Sequence, residues 1–144
     1  MILDKYLAFA EAVNVTSSAI SDVVDFGTVQ RSVGVGEPLV CVITIDADAD
    51  FTTTNETYVI SLETDSVAAL SSAVVLGSVA LVGAQAAGSK FVINVPADAR
   101  MEEFLGVRAT LGGTTPDLTY SAYLRPHDGV DNYQSYANGY TITG

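Results

Sequence analysis

The chain has 144 residues, of which 49% are hydrophobic and 16% are charged, and its 17 acidic and 6 basic residues give a formal net charge of −11 at pH 7. This acidity excludes nucleic-acid binding, because affinity for phosphates comes from clustered Lys and Arg, and it disfavours anionic membrane surfaces. No apolar run approaches the roughly 20 residues of a transmembrane helix. The mean hydropathy of +0.34 is high for so acidic a chain and indicates an apolar surface meant for another protein.

Valine and threonine are more frequent than leucine, glutamate and lysine, which is typical of strands. Turn signals rich in Gly, Pro, Asn and Asp separate the candidate segments. In chain order, about eight strands are predicted within residues 14–26, 39–45, 57–63, 74–81, 90–95, 104–111 and 118–125.

The pattern within these segments predicts which faces are buried. Residues 57–63, 90–95 and 118–125 alternate between apolar and polar side chains, so each should turn one face to a core and one to water. Residues 39–45 are apolar on both faces except at Thr44, which predicts a central strand covered on both sides or lying at a subunit contact. Residues 65–72 and 97–103 are each long enough for a helical turn only.

These elements predict an all-β fold, a jelly-roll-like antiparallel β-sandwich of about eight strands. We expect one domain over residues 1–144, with an N-terminal arm and a tyrosine-rich C-terminal tail. The apolar N-terminal run is short and interrupted by charge, so we expect synthesis in the cytoplasm without a signal peptide.

Residues with potential for chemistry do not form a recognisable motif. Cys41 lies in an apolar run and is predicted to be a small buried hydrophobe. His127 is the single histidine and lies in a turn, without a nucleophile elbow to match it. We therefore expect no catalytic residue, no cofactor and no zinc site.

Asp46, Asp48 and Asp50 form the most suggestive acidic cluster, because carboxylates at a spacing of two line one face of a strand end. Calcium prefers such oxygen ligands, but the glycine and glutamate of the usual calcium loop are absent here. The favoured interpretation is a solvated acidic loop that discourages pairing between sheet edges.

Aromatic and aliphatic side chains near both ends are candidate contact residues, since tyrosine offers a large contact area at low entropic cost. Two interpretations stay open for each end: packing on the chain's own domain, or contact with a neighbouring subunit. The candidate interface residues are Leu3, Tyr6, Leu7, Phe9, Tyr133, Tyr136 and Tyr140.

Six short segments, in this order and at this spacing, resemble the jelly-roll capsid cement, or decoration, proteins of tailed bacteriophages. They span nearly the whole chain: MILD at 1–4, GEPL at 36–39, NETY at 55–58, GSKFVI at 88–93, LGGTTP at 111–116 and YANGYTI at 136–142.

The resemblance implies a non-enzymatic structural protein on the outer capsid surface of the virion, where it bridges subunits of the major capsid protein. It also implies self-association, as a homodimer or a homotrimer. A second hypothesis from a different class is a carbohydrate-binding or receptor-binding jelly roll on the virion surface, assisted by calcium through the three aspartates.

Truncating Tyr136 or Tyr140 to alanine should weaken association of the chain with itself or with the capsid while leaving the fold intact. An aromatic hot spot contributes about 2 kcal/mol or more to binding. Light scattering and a head-binding assay measure the association, and circular dichroism measures the fold. Unfolding of either variant would show that the tail belongs to the core.

Overall fold

The computed structural model describes residues 7–28, 38–96 and 101–127, and these form eight strands. The strands are β1 (Ala8–Val15), β2 (Ala19–Asp25), β3 (Leu39–Ala47), β4 (Thr57–Asp65), β5 (Val74–Leu81), β6 (Lys90–Asn94), β7 (Phe104–Gly112) and β8 (Leu118–Pro126). Within these ranges there is no α-helix, and residues 66–72 form turns rather than the helical turn that their sequence allowed.

The strands form two four-stranded antiparallel sheets that pack face to face. Sheet A has the order β1-β8-β3-β6, and sheet B has the order β2-β7-β4-β5. The first strand therefore pairs with the last, the second with the seventh, the third with the sixth and the fourth with the fifth. This nested pairing is the jelly-roll arrangement and confirms the predicted fold class.

The alternating segments supply the core, as their pattern predicts. Every second residue of β4 and β8 points between the sheets and is almost completely buried, including Tyr58, Ile60, Tyr120 and Ala122. Burying one face of each sheet against the other removes apolar surface from water at about 25 cal/mol per Å². In β4 and β8 the alternation with a period of two correctly indicates which face of the strand lies between the sheets.

Cys41 lies on the inner face of β3, and its predicted burial is confirmed. Its side chain has no solvent exposure and forms no disulfide. Burial raises the pKa of the thiol to about 12, which keeps it protonated at neutral pH. Cys41 therefore acts as a packing residue of the central strand.

The N-terminal segment differs from the prediction. The single candidate segment 14–26 contains the end of β1, a turn at residues 16–18 and β2, while β1 itself begins at Ala8. Phe9 lies at a register irregularity between Ala8 and Ala10, and its ring is 1% exposed within the core. Phe9 is thus a core residue, which for this position favours packing on the chain's own domain, one of the two interpretations left open.

The outer face of sheet B is the second departure from the alternating pattern. Ser61 and Glu63 were expected to face water, yet both are buried. Their positions are covered by the segment that joins β4 to β5, which we call the β4–β5 loop (residues 66–73). Leu70 of this loop is 1% exposed and packs over Gly106, where an added Cβ would lie 2.8 Å from the leucine Cδ1.

A polar network fixes the β4–β5 loop in this position. Arg108 donates from Nε to Glu63 Oε2 at 2.8 Å and from Nη2 to the carbonyl oxygen of Leu70 at 2.7 Å. Ser61 donates to the other oxygen of Glu63 at 2.6 Å. At the end of β4, Asp65 accepts the backbone N–H of Ser72 at 2.8 Å. Because these buried acceptors have donors, the loop covers the sheet without leaving them unsatisfied.

Replacing Leu70 by alanine should lower the free energy of unfolding by about 3 kcal/mol, because it removes a fully buried side chain and leaves a cavity above Gly106. Val67→Ala is the matched control in the same loop, since Val67 is 44% exposed and its truncation should change stability by only about 0.5 kcal/mol. Urea denaturation measures both values. Equal effects of the two substitutions would contradict the packing of Leu70 on sheet B.

Candidate functional site

The outer face of sheet A carries a row of uncharged side chains that crosses all four strands. In register, Val92 of β6 lies beside Val42 of β3, Val42 lies beside Tyr123 of β8, and Tyr123 lies beside Ala8 of β1. We call these four residues the apolar row. Val92 is 43% exposed, and the other three members are partly exposed.

The positions on both sides of the apolar row are mostly polar. Lys90, Thr44 and Ser121 form the neighbouring row towards one end of the sheet. Asn94 and Arg125 flank Val40 on the other side. An apolar centre with a polar rim is the usual composition of a protein-binding surface.

The two outer faces of the sandwich therefore differ in a specific way. Sheet B is covered by the chain's own β4–β5 loop, which buries Leu70 and Glu63. Sheet A buries Val40 on its outer face but keeps Val92 exposed and Val42 and Tyr123 partly exposed. This difference makes the outer face of sheet A the candidate partner-binding surface.

The sequence contained one sign of this surface. Residues 39–45 are apolar on both faces, and the structure places them at the centre of sheet A between β8 and β6. Their inner residues, such as Cys41 and Ile43, join the core. Val42 points to the other side. The remaining members of the row belong to strands that meet β3 only in the folded protein, so the sequence did not single them out.

A second group of exposed valines lies on β5, at the edge of sheet B. Val74 and Val75 are each 54% exposed, and β5 carries no charged residue. An edge strand of this kind offers unpaired backbone groups as well as apolar side chains. This group lies on a different sheet from the apolar row and gives a natural comparison for it.

The predicted interface residues have two different outcomes. Leu7 lies beside β1, is partly buried and packs against the core, next to the buried Phe9. The candidates that lie outside the described residues are Leu3, Tyr6, Tyr133, Tyr136 and Tyr140.

The three aspartates of the acidic cluster point to different partners. Asp46 accepts the hydroxyl of Ser121 at 2.6 Å, and Asp48 accepts the backbone N–H of Ala87 at 2.7 Å. Asp50 accepts the backbone N–H of Thr52 at 2.8 Å.

The regular spacing fails because the register of β3 shifts between Ile45 and Ala47 and the strand ends at Ala47. Across residues 7–28, 38–96 and 101–127, no three or more His, Cys, Asp or Glu side chains are grouped to hold a metal ion. The second hypothesis from the sequence required Asp46, Asp48 and Asp50 to bind one calcium ion together, and this part of it is therefore wrong.

His127 lies in a turn directly after β8, as its sequence context predicts. Its backbone N–H donates to the carbonyl oxygen of Pro38 at 2.8 Å, which joins the end of β8 to the approach to β3. In the part of the chain that the structure describes, no helix is long and apolar enough to span a membrane.

Among curated proteins none is similar. Residues 9–123 match the Bbp16 family, and this range contains nearly all of β1 to β8. Because the match covers most of the sandwich, the chain belongs to the Bbp16 family.

Proposed function

We propose that this chain is a non-enzymatic capsid cement protein, which binds the outer surface of a tailed-phage head and bridges subunits of the major capsid protein. The observation that carries the proposal is the apolar row on the outer face of sheet A, formed by Val92, Val42, Tyr123 and Ala8. The jelly-roll fold and the six colinear segments of the sequence support the same function.

The physical argument begins with what each outer face requires. An apolar row that crosses a whole sheet is stabilised when a partner removes it from water, at about 25 cal/mol per Å² of apolar surface. Tyr123 lies at its centre and combines a large ring with a polar hydroxyl, as interface hot spots often do. The row therefore supplies the contact surface that a cement protein needs.

A cement protein stabilises the shell because it binds the assembled form. Its contribution grows with the ratio of its concentration to its dissociation constant, and at a hundredfold ratio it is about 2.7 kcal/mol per site. A homodimer or homotrimer would join two or three such contacts and so raise the effective concentration at each seat. The net charge of −11 would keep unassembled copies soluble and away from the packaged DNA.

Val92→Glu should weaken binding to phage heads at least tenfold, because it places a charge on the most exposed member of the apolar row, at a cost of at least 1.4 kcal/mol. Val74→Glu is the matched control, since it introduces the same charge at a more exposed valine on β5. It should change the affinity less than twofold. Cosedimentation with heads assembled without the protein measures the affinity, and circular dichroism checks that both variants fold.

The possible results distinguish an error in the proposed cement function from an error in the proposed contact surface. If the wild-type protein neither binds heads nor co-purifies with virions, the cement function is wrong. If the wild type binds and Val74→Glu is the weakened variant, β5 rather than sheet A makes the contact. Binding of a glycan or receptor without binding to heads would favour the second hypothesis from the sequence.

A further inference from the structure

Two loops meet at one end of the sandwich and hold acidic side chains together. The β3–β4 loop (residues 48–56) and the β7–β8 loop (residues 113–117) are joined by the backbone N–H of Asp50, which donates to the carbonyl oxygen of Asp117 at 3.0 Å. Tyr58 adds a second link, because its hydroxyl donates to the carbonyl oxygen of Asp50 at 2.6 Å and accepts the N–H of Asp117 at 3.1 Å.

Gly113 allows the two loops to approach this closely. Its φ of +101° is a conformation that favours glycine. A Cβ at this position would lie 2.7 Å from both the carbonyl oxygen of Asn55 and the Cα of Glu56. The glycine therefore brings the β7–β8 loop against the start of β4, and this places Thr115 beside Glu56.

The carboxylates of Asp50 and Glu56 share hydroxyl donors at this junction. The Thr115 hydroxyl lies 3.2 Å from Asp50 Oδ2 and 3.2 Å from Glu56 Oε1, yet it has one proton and can donate to one of them at a time. Thr53 has the same limitation, because its hydroxyl contacts both Asn55 Oδ1 and Glu56 Oε1. The junction is therefore rich in acceptor oxygens and poor in donors.

Glu56 shows the imbalance most directly. The residue is 3% exposed, and its buried Oε2 atom has no hydrogen-bond partner among residues 7–28, 38–96 and 101–127. Leaving a buried charged acceptor unpaired is costly, so each such atom requires an explanation.

We propose that this junction is a calcium-binding site, in which Asp50 and Glu56 supply the carboxylate oxygens and Thr115 supplies a hydroxyl oxygen. A cation between the carboxylates satisfies the orphaned Glu56 Oε2 and removes the competition for the Thr115 proton. Calcium fits this set because it accepts mixed oxygen ligands in flexible geometry, whereas magnesium requires a near-ideal octahedron.

The proposed ligand set differs from the one that the sequence suggested. It uses two carboxylates, and its other oxygens are uncharged, so it does not require a group of three acidic or metal-binding side chains, which the described residues lack. Asp46 and Asp48 are not in the set, because their carboxylates accept from Ser121 and Ala87, whereas Asp50 shares the Thr115 hydroxyl with Glu56. With only two charged ligands, we expect weak affinity, with a Kd of about 1 mM or somewhat lower.

The experiment uses the purified full chain and does not depend on capsid binding. Calcium at ten times its Kd should raise Tm by about 4 °C relative to the protein in EDTA. Sodium chloride of equal ionic strength controls for screening of the net negative charge. Terbium luminescence gives a second, direct measure of binding, and calcium should displace the terbium.

Two variants and one control test the assignment to these residues. Glu56→Gln should abolish the rise in Tm with calcium, while Asp48→Asn, which changes a nearby aspartate in the same way, should keep it. Thr115→Val alters an exposed ligand and should weaken calcium binding. This variant keeps the test possible if the Glu56 variant does not fold. The proposal is overturned if calcium raises Tm no more than sodium chloride does, or if folded variants at Glu56 and Thr115 respond as the wild type does.

Discussion

A two-sheet sandwich buries one face of each sheet and leaves two outer faces that must either meet water or be covered. This constraint governs the whole molecule, because β3 and β4 occupy the interior of their sheets and have side chains on both faces. The inner faces form one shared core. The features from which we argue function lie on the outer faces and at the loop ends.

The two outer faces meet the constraint differently. On sheet B, Arg108 and Glu63 hold the β4–β5 loop over the strands, and Leu70 fills the space above Gly106. The ion pair between Arg108 and Glu63 is partly exposed, so it contributes little to the free energy of folding. Its main effect is to pair the carboxylate of Glu63 and to hold the β4–β5 loop in position. On sheet A, Val92 and Tyr123 retain exposure, and covering them is left to a partner in the function we propose.

Much of the fold could be predicted from the sequence, and the departures have physical causes. Alternation in residues 57–63 and 118–125 correctly predicted which side chains enter the core, because a period of two is a local property of a strand. The burial of Glu63 could not be predicted in this way, since it depends on Arg108, 45 residues away. Phe9 turned inward at a register irregularity, which an alternating pattern does not reveal.

The candidate sites were also predicted only in part, because local sequence patterns do not reveal contacts between distant residues. Residues 39–45 are apolar on both faces of the strand, which indicated a contact surface. The extent of that surface depends on strand register, because register places Val42 beside Val92 and Tyr123. Spacing within residues 46–50 suggested one calcium site, whereas the end of β3 separates those carboxylates. Glu56 became significant only when the fold brought Thr115 to it across 59 positions of the chain.

Charge placement links the acidic composition to the proposed contact surface. The chain has six basic residues in all, and two of them, Lys90 and Arg125, lie in the rows that flank the apolar row. In the function we propose, a partner that covers sheet A would meet charges of both signs at the rim, because Asp46 accepts the hydroxyl of Ser121 in the same row as Lys90. Rim charges mainly affect the rate and specificity of encounter, whereas the buried centre determines how slowly the complex separates. Such a rim would orient the approach of a partner surface with complementary charges, while Val42, Val92 and Tyr123 would retain it.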